Sequence, residues 1–265
     1  MTRLLNLVSI ASQRFGESPL ETLGKIVRIS AWQRLWRLST SDEARAATIA
    51  RDWRSDGPIR KRDYKNYQEY RRHQASKWSL VNDHLSANEK NAFVAFRERF
   101  RTCEALTSTT SVLCLAARLG TEVRALIDLG HVAIGIDLQP GHENRYVLSG
   151  DFHDLQFADG SFGAVYCNSL DHAFDLQMIL SEVSRILMPG GVFIVDIVNG
   201  YDEGYQPDSF DCTHWRSARE FAEVLAGYES FDLVSFRNLS SVNDAFWNQA
   251  VLRKASADCP EESLS

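Results

Sequence analysis

Residues 111–122, Ser-Val-Leu-Cys-Leu-Ala-Ala-Arg-Leu-Gly-Thr-Glu, constrain the fold of this chain more than any other segment. The apolar start predicts a short buried strand, and a tight turn ending at Gly120 leads into a predicted helix. In an α/β sheet such a turn brings the free N–H groups of a helix N-terminus to a strand end, where nucleotide-like ligands bind. The turn holds one glycine where three are usual, and Arg118 stands where a side chain is normally excluded.

Strand and helix patterns alternate along the chain after this turn. Strands are predicted at 112–116, 132–137, 146–149, 163–168, 192–198, 231–238 and 246–253, and helices at 121–129, 177–187 and 217–226. This alternation predicts an α/β fold with a doubly wound, Rossmann-like sheet that is mainly parallel and has helices on both faces. Ligands of such sheets bind at the carboxyl ends of the strands, near the switch in strand order.

The residues before this region read as helical. Helices are predicted at 41–53, 63–78 and 86–103, with a break at Asp56-Gly57-Pro58. We therefore predict three parts: a helical N-terminal extension over residues 1–105, a ligand-binding domain over 106–255, and a disordered tail over 256–265.

Cysteine use and hydropathy place the chain in a reducing cytoplasm. The five cysteines are scattered and form no Cys-x-x-Cys pair, which argues against a disulfide framework or a metal site. No apolar run approaches the roughly 18 residues of a membrane span.

Charge is distributed unevenly along the chain. Residues 1–110 hold 20 Lys and Arg against 12 Asp and Glu, whereas residues 111–265 hold 9 against 23. A basic stretch over residues 51–77 carries interleaved tyrosines, which is consistent with a surface for nucleic acid or another anion. The other interpretation is a solvated helix that docks on acidic residues, and charge runs are more often of this kind.

Polar side chains follow several of the predicted strands. Asp137 ends the second strand, where a carboxylate can accept hydrogen bonds from both hydroxyls of a ribose. Asp151 follows the third strand and could bind the exocyclic amine of adenine, while Phe152 could pack against the ring. The segment Cys-Asn-Ser-Leu-Asp-His at 167–172 lies at the same predicted edge of the sheet.

With these residues, the chain resembles the class I S-adenosylmethionine-dependent methyltransferases over about residues 108–200. The segments Gly-Asp-Phe-His-Asp-Leu-Gln-Phe at 150–157 and Arg-Ile-Leu-Met-Pro-Gly-Gly at 185–191 carry the resemblance, which is to the type-11-like domains with an arginine in the first loop. It implies a methyltransferase sheet that binds S-adenosyl-L-methionine. The cofactor-binding residues that it implies are Ala116, Ala117, Arg118, Gly120, Asp137, Leu138, Asp151, Phe152 and Asn168.

Arg118 has two interpretations. A guanidinium can pair bidentately with the carboxylate at the amino-acid end of the cofactor, and so replace the backbone N–H groups of a glycine loop. Alternatively, Arg118 points outward and pairs with Glu122 across the first helical turn.

The catalytic residues are less well indicated. Methyl transfer is an in-line displacement, so alignment supplies much of the rate and a general base is optional. His172 beside Asp171 is the candidate base, and the alternative is a histidine that only packs and hydrogen-bonds. The helix before the sheet, with Gln74 and Lys77 on one face, is predicted to close over the cofactor.

The predicted function is methyl transfer to a small-molecule, sugar or lipid-linked acceptor. RNA methylation, suggested by the basic N-terminal half, and a non-catalytic binding or regulatory role, suggested by the glycine-poor loop, remain as alternatives. A nicotinamide dehydrogenase is disfavoured because the Gly-x-Gly-x-x-Gly spacing is missing. The sequence does not indicate the oligomeric state.

Overall fold

A computed structural model describes residues 53–228, 231–240 and 246–255, with the side chains of 56 and 78–87 left aside. The described residues divide into a small unit, residues 53–85, 171–174 and 199–217, and a large unit containing the others. The elements in chain order are β1 (Trp53–Asp56), β2 (Ile59–Arg62), α1 (Tyr67–Arg101), β3 (Ser111–Leu115), α2 (Thr121–Asp128), β4 (Val132–Asp137), β5 (Val147–Ser149), β6 (Phe162–Cys167), α3 (Leu176–Ile186), β7 (Leu187–Val198), β8 (Thr213–Trp215), α4 (Ala218–Gly227), β9 (Phe231–Asn238) and β10 (Trp247–Lys254).

A seven-stranded sheet of order β5-β4-β3-β6-β7-β10-β9 forms the large unit. β10 runs antiparallel to both of its neighbours, and the other strand pairs are parallel. The order of the strands reverses between β3 and β6, which is the switch point at which open α/β sheets bind ligands. The predicted doubly wound α/β fold is therefore confirmed.

The apolar runs of the sequence form the core of this sheet. Val112 to Leu115 of β3 are completely buried, as a strand covered on both faces requires. Phe100 of α1 packs edge-on against Tyr166 of β6, with ring centroids 4.8 Å apart. α3 begins after Asp175, whose carboxylate accepts hydrogen bonds from the N–H groups of Gln177 and Met178.

A buried polar network links α1 to the middle of the sheet. Asp196 of β7 accepts hydrogen bonds from Arg99 at 3.0 Å, from Tyr166 at 2.7 Å and from Gln249 at 2.8 Å. Arg237 in turn donates to Gln249 and to two carbonyls at the end of α1. Burial raises the pKa of Tyr166 well above its usual range, so this phenol stays protonated and donates to the carboxylate.

The small unit contains a β-sheet that the sequence does not predict. β1 and β2 form a hairpin around Gly57, which has φ 61°. β8 adds to β2 as a third antiparallel strand. The predicted helix over residues 41–53 reaches the described residues only at Trp53, and there it is wrong because Trp53 begins β1. The predicted tail over residues 256–265 lies outside the described residues, and the domain boundaries stay a prediction.

The two helices predicted at 63–78 and 86–103 are one helix, α1. Residues 79–85 contain neither glycine nor proline, so nothing in that segment ends the helix. In the described part of the chain, no helix is both long and apolar enough to cross a membrane.

Candidate functional site

The turn after β3 has the backbone geometry of a glycine loop although most of its residues are not glycine. Ala116 has φ 53°, Arg118 has φ 37° and Gly120 has φ 73°. A left-handed conformation costs a non-glycine residue roughly 1–2 kcal/mol. Two of the three left-handed positions thus carry side chains at an energetic cost, a kind of strain that concentrates at ligand-binding sites.

Hydrogen bonds hold this strained turn against the end of β4. The N–H of Arg118 donates to Oδ2 of Asp137 at 3.0 Å, and the N–H of Ala117 donates to the carbonyl of Ile136 at 2.9 Å. Gly135 lets the turn pack closely, because a Cβ at this position would lie 2.7 Å from the Cβ of Ala117. The loop and β4 therefore form one rigid corner.

Asp137 ends β4 at this corner, as the sequence predicts. Its second oxygen, Oδ1, accepts from the N–H of Gln139 at 2.7 Å. Each carboxylate oxygen can accept about two hydrogen bonds, so capacity for two hydroxyl donors remains on the two atoms. Leu138, also in the predicted set, is half-buried directly after it.

Glu122, in the first turn of α2, is part of this corner, although the sequence indicates it only as a surface partner of Arg118. Its side chain is buried. Burial raises the pKa of the Glu122 carboxyl to about 8; Asp137 acts in the same direction, and Arg118 and Arg124 oppose it. Arg118 therefore acts electrostatically on a buried carboxyl, whereas the second interpretation of Arg118 places the pair at the protein surface.

Asp151 lies beside Asp137, since the N–H of Gly150 donates to the carbonyl of Asp137 at 3.0 Å. Its Oδ1 accepts from both the backbone N–H and the ring Nδ1 of His153, at 3.0 and 2.9 Å. Nε2 of His153 accepts from the N–H of Asp175 at 3.2 Å, so the ring proton is on Nδ1. His153 thus fixes the orientation of Asp151 in its loop.

Phe152 and Asn168 complete the predicted set. Phe152 is buried and packs edge-on against the ring of His153 at 4.7 Å. Asn168 follows β6, which pairs with β3, and its side-chain oxygen accepts from the hydroxyl of Ser169 at 2.9 Å. The structure therefore brings the predicted cofactor-binding residues to one edge of the sheet, around the ends of β3, β4, β5 and β6.

Asp171 and His172, the predicted catalytic pair, belong to the small unit. Nδ1 of His172 donates to the carbonyl of Phe210 at 3.2 Å, and Nε2 lies 2.5 Å from Nζ of Lys77. Nε2 therefore accepts a hydrogen bond from the Lys77 ammonium. A base role for His172 requires Lys77 to release this nitrogen, and the role stays a prediction.

Two carboxylates flank this histidine. Oδ2 of Asp171 lies 3.8 Å from Nε2, and Oδ1 of Asp211 lies 3.6 Å from Nδ1. Burial raises the pKa of Asp211 well above its usual range; the charges of Asp208 and Asp171 add to this effect, and Lys77 opposes it. Ligand atoms of Asp171, His172 and Asp211 lie within 4.8 Å of one another, a spacing that suits a cation. The Lys77 ammonium supplies positive charge to this group.

Gln74, the other helix residue that the sequence singled out, donates to the carbonyl of Phe210 at 2.9 Å. It therefore fastens α1 to the segment before β8 within the small unit. Its predicted closure over a cofactor stays a prediction.

Comparison with known proteins gives consistent matches. Residues 109–195 match the family model described as a methyltransferase domain. Sterol 24-C-methyltransferase ERG6A of Gibberella zeae is 36% identical over 98 residues, which cover 37% of this chain and 23% of that protein. The Yarrowia lipolytica sterol 24-C-methyltransferase is 37% identical over 93 residues, which cover 35% and 22%. The chain thus spans less than a quarter of the length of these two relatives.

One solved structure has a similar fold over its whole length. The 1,6-didemethyltoxoflavin-N1-methyltransferase of Burkholderia thailandensis, with 1,6-didemethyltoxoflavin and S-adenosylhomocysteine bound, superposes with a TM-score of 0.60 at 16% identity. The match covers 77% of this chain and all of that one.

Proposed function

We propose that this chain, whose residues 109–195 match the methyltransferase-domain family model, is a class I S-adenosylmethionine-dependent methyltransferase that transfers a methyl group to a small-molecule or lipid acceptor. The observation that carries the proposal is the corner formed by the loop after β3 and the end of β4. There, a strained loop, a carboxylate with spare acceptor capacity and a second aspartate occur together.

The residues at this corner fit the chemistry of S-adenosylmethionine. Asp137 would accept the ribose hydroxyls, Asp151 and Phe152 would bind the adenine, and Arg118 would pair with the carboxylate of the amino-acid end. When bound, the cofactor supplies a methyl group on a sulfonium, which is reactive without metal assistance. The protein then has to exclude water and align the acceptor.

The proposed class of acceptor rests on the comparisons with known methyltransferases. The partial matches to sterol 24-C-methyltransferases favour a small-molecule or lipid acceptor over nucleic acid. The matches to these two relatives cover only about a third of this chain, so the acceptor class is our proposal.

Calorimetry with S-adenosylhomocysteine tests the cofactor site. Asp137→Ala is expected to weaken binding by tenfold or more, because hydrogen bonds to a charged group contribute about 1.5–3 kcal/mol. Asp128→Ala is the control, since Asp128 is exposed and pairs with Arg97 at the surface. Equal affinities of Asp137→Ala and the unaltered protein would refute this assignment.

Release of S-adenosylhomocysteine in the presence of candidate acceptors tests the activity. We expect turnover with members of a panel of sterols, sugars and lipid-linked sugars, and none with structured RNA. Turnover with RNA alone would replace the proposed acceptor class. Tight cofactor binding with no turnover on any acceptor would favour the non-catalytic alternative.

A further inference from the structure

The small unit contains a buried polar atom that the described residues leave without a partner. His214 of β8 is 3% exposed, and its Nε2 has no hydrogen-bond partner among the described residues. A polar atom that is removed from water without a hydrogen-bond partner costs free energy of folding. A ligand that donates a hydrogen bond to Nε2 would recover part of this energy.

The proton on this imidazole can be assigned from its surroundings. A backbone hydrogen bond with Tyr205 favours the protonated ring, so the Tyr205 carbonyl is the acceptor. Since Nε2 has no partner, that bond belongs to Nδ1–H, and Nε2 carries a bare lone pair. Burial lowers the pKa of His214 to about 4, and the charge of Arg60 acts in the same direction. The ring is therefore neutral near pH 7 and acts as an acceptor at Nε2.

Aromatic rings surround this acceptor. The ring of Tyr201 lies 5.4 Å from the imidazole in an edge-on arrangement, Trp53 lies at 6.1 Å and Tyr205 at 6.3 Å. These three rings are half-buried, so part of each reaches the surface. Aromatic side chains around one polar acceptor are typical of sites that bind a ring compound with a polar group.

Arg60 lies next to these rings. β2 and β8 pair so that Arg60 stands opposite His214, and paired residues project from the same face of a sheet. The guanidinium of Arg60 stacks over the ring of Tyr201, 3.9 Å from its centroid, and Arg60 itself is exposed. We call His214, Trp53, Tyr201, Tyr205 and Arg60 the His214 cluster.

We propose that the His214 cluster binds a ring compound that carries a hydroxyl group, with the O–H donating to Nε2 of His214 and the ring packing against the aromatic side chains. Entry requires a tyrosine ring to swing aside. Tyr201 begins a single 3₁₀ turn, Tyr201–Glu203, and Tyr205 follows this turn after Gly204, which has φ 85°. Rotation about the side-chain bonds of either tyrosine would move its ring.

Nuclear magnetic resonance of the full chain labelled with ¹⁵N-histidine tests the binding, with phenol and anisole as probes. Phenol has a ring and a hydroxyl, and anisole is the same ring with the hydroxyl methylated. Without any cofactor present, we expect the free protein to carry its His214 proton on Nδ1. Phenol should then shift the Nε2 resonance, and anisole at the same concentration should leave it in place.

Variants add a measure of affinity. His214→Phe keeps a ring at this position and removes the acceptor, so the dissociation constant for phenol should rise about fivefold, as loss of one neutral hydrogen bond predicts. His142→Phe is the control, because His142 is almost fully exposed, and it should leave phenol binding unchanged.

Three results would overturn the proposal: a proton on Nε2 in the free protein, equal responses to phenol and anisole, or an Nε2 that already accepts from a water which phenol fails to displace. These results come from the unaltered protein, so they stand even if His214→Phe does not fold. Because the cofactor is absent, a failure here also leaves the calorimetric test of the proposed function untouched.

Discussion

Replacement of the buried Glu122 by glutamine should remove a large pH dependence from the stability of the large unit. In the folded protein, burial raises the pKa of this carboxyl to about 8 from its ordinary value of 4.5. The folded state thus binds the proton more tightly than the unfolded state. Stability contributed by this group is complete below pH 4.5 and is lost as the pH rises through 8.

The size of this effect follows from the shift. Each pKa unit corresponds to 1.36 kcal/mol, so the whole shift amounts to about 5 kcal/mol, of which about 2 kcal/mol is lost between pH 6 and pH 8. Glutamine has nearly the same shape and does not titrate. We therefore expect the free energy of unfolding of the unaltered protein to fall by about 2 kcal/mol relative to that of Glu122→Gln between pH 6 and pH 8.

Urea unfolding at pH 6, 7 and 8 measures this difference. Glu104→Gln serves as the control, since Glu104 is exposed, and its curve should stay parallel to that of the unaltered protein. A ¹³C resonance of the Glu122 carboxyl should titrate near pH 8. Parallel stability curves for Glu122→Gln, or a carboxyl that titrates near 4.5, would refute the reasoning.

Three further substitutions test the packing around the site. Gly135→Ala places a Cβ 2.7 Å from that of Ala117, so we expect a loss of about 1–3 kcal/mol in thermal or urea unfolding; Gly227→Ala, with no atom within 4 Å of the new Cβ, should not destabilise the protein. Ala116→Gly relieves a left-handed φ that costs about 1–2 kcal/mol, offset by about 0.4–1 kcal/mol of unfolded-state entropy, so urea unfolding should show a stabilisation of up to about 1 kcal/mol. Ala125→Gly, inside α2, should instead destabilise, and a loss in both variants would contradict the strain argument. Asp196→Ala leaves the buried Arg99 without its carboxylate and should cost about 3–5 kcal/mol, whereas Asp128→Ala, which breaks a surface pair, should change the unfolding free energy by no more than about 1 kcal/mol.

The sequence was most informative where local pattern and burial agree. The strand at Val132–Asp137 was predicted to the residue, because five of its six side chains are apolar or absent and Gly130 precedes it. Asp137 and Asp151 were singled out as site candidates for a related reason, since Asp137 ends one predicted strand and Asp151 comes shortly after the next.

The three-stranded sheet of β1, β2 and β8 could not be predicted from the sequence, because its strands are short and β2 is mostly polar. β2 reads Ile-Arg-Lys-Arg, and its partner β8 lies 156 residues later along the chain at the pair of Ile59 and Trp215. No local sequence pattern indicates that two strands so far apart along the chain will pair. The burial of Glu122 and His214 also depends on tertiary contacts, so neither the raised pKa of the first nor the bare nitrogen of the second could be read from composition or periodicity.

The side chain of Arg118 and its strained backbone have separate consequences for the loop, and two substitutions distinguish them. Arg118→Ala removes the guanidinium and keeps a Cβ at φ 37°, whereas Arg118→Gly removes both the charge and the strain. If the guanidinium pairs with the cofactor carboxylate, both variants should weaken S-adenosylhomocysteine binding about tenfold or more, since a charge-assisted hydrogen bond contributes about 1.5–3 kcal/mol.

A ligand without the amino-acid end separates this pairing from loop shape. 5′-Methylthioadenosine lacks the carboxylate, so calorimetry should give it the same affinity for Arg118→Ala as for the unaltered protein. Arg118→Gly should be the more stable of the two variants, because glycine adopts a positive φ without steric penalty. If both variants bind S-adenosylhomocysteine as tightly as the unaltered protein does, then Arg118 serves Glu122 and the helix surface instead. If the Arg118 variants instead lose the same affinity for S-adenosylhomocysteine and for 5′-methylthioadenosine, then the loop binds the cofactor through its backbone and not through the guanidinium.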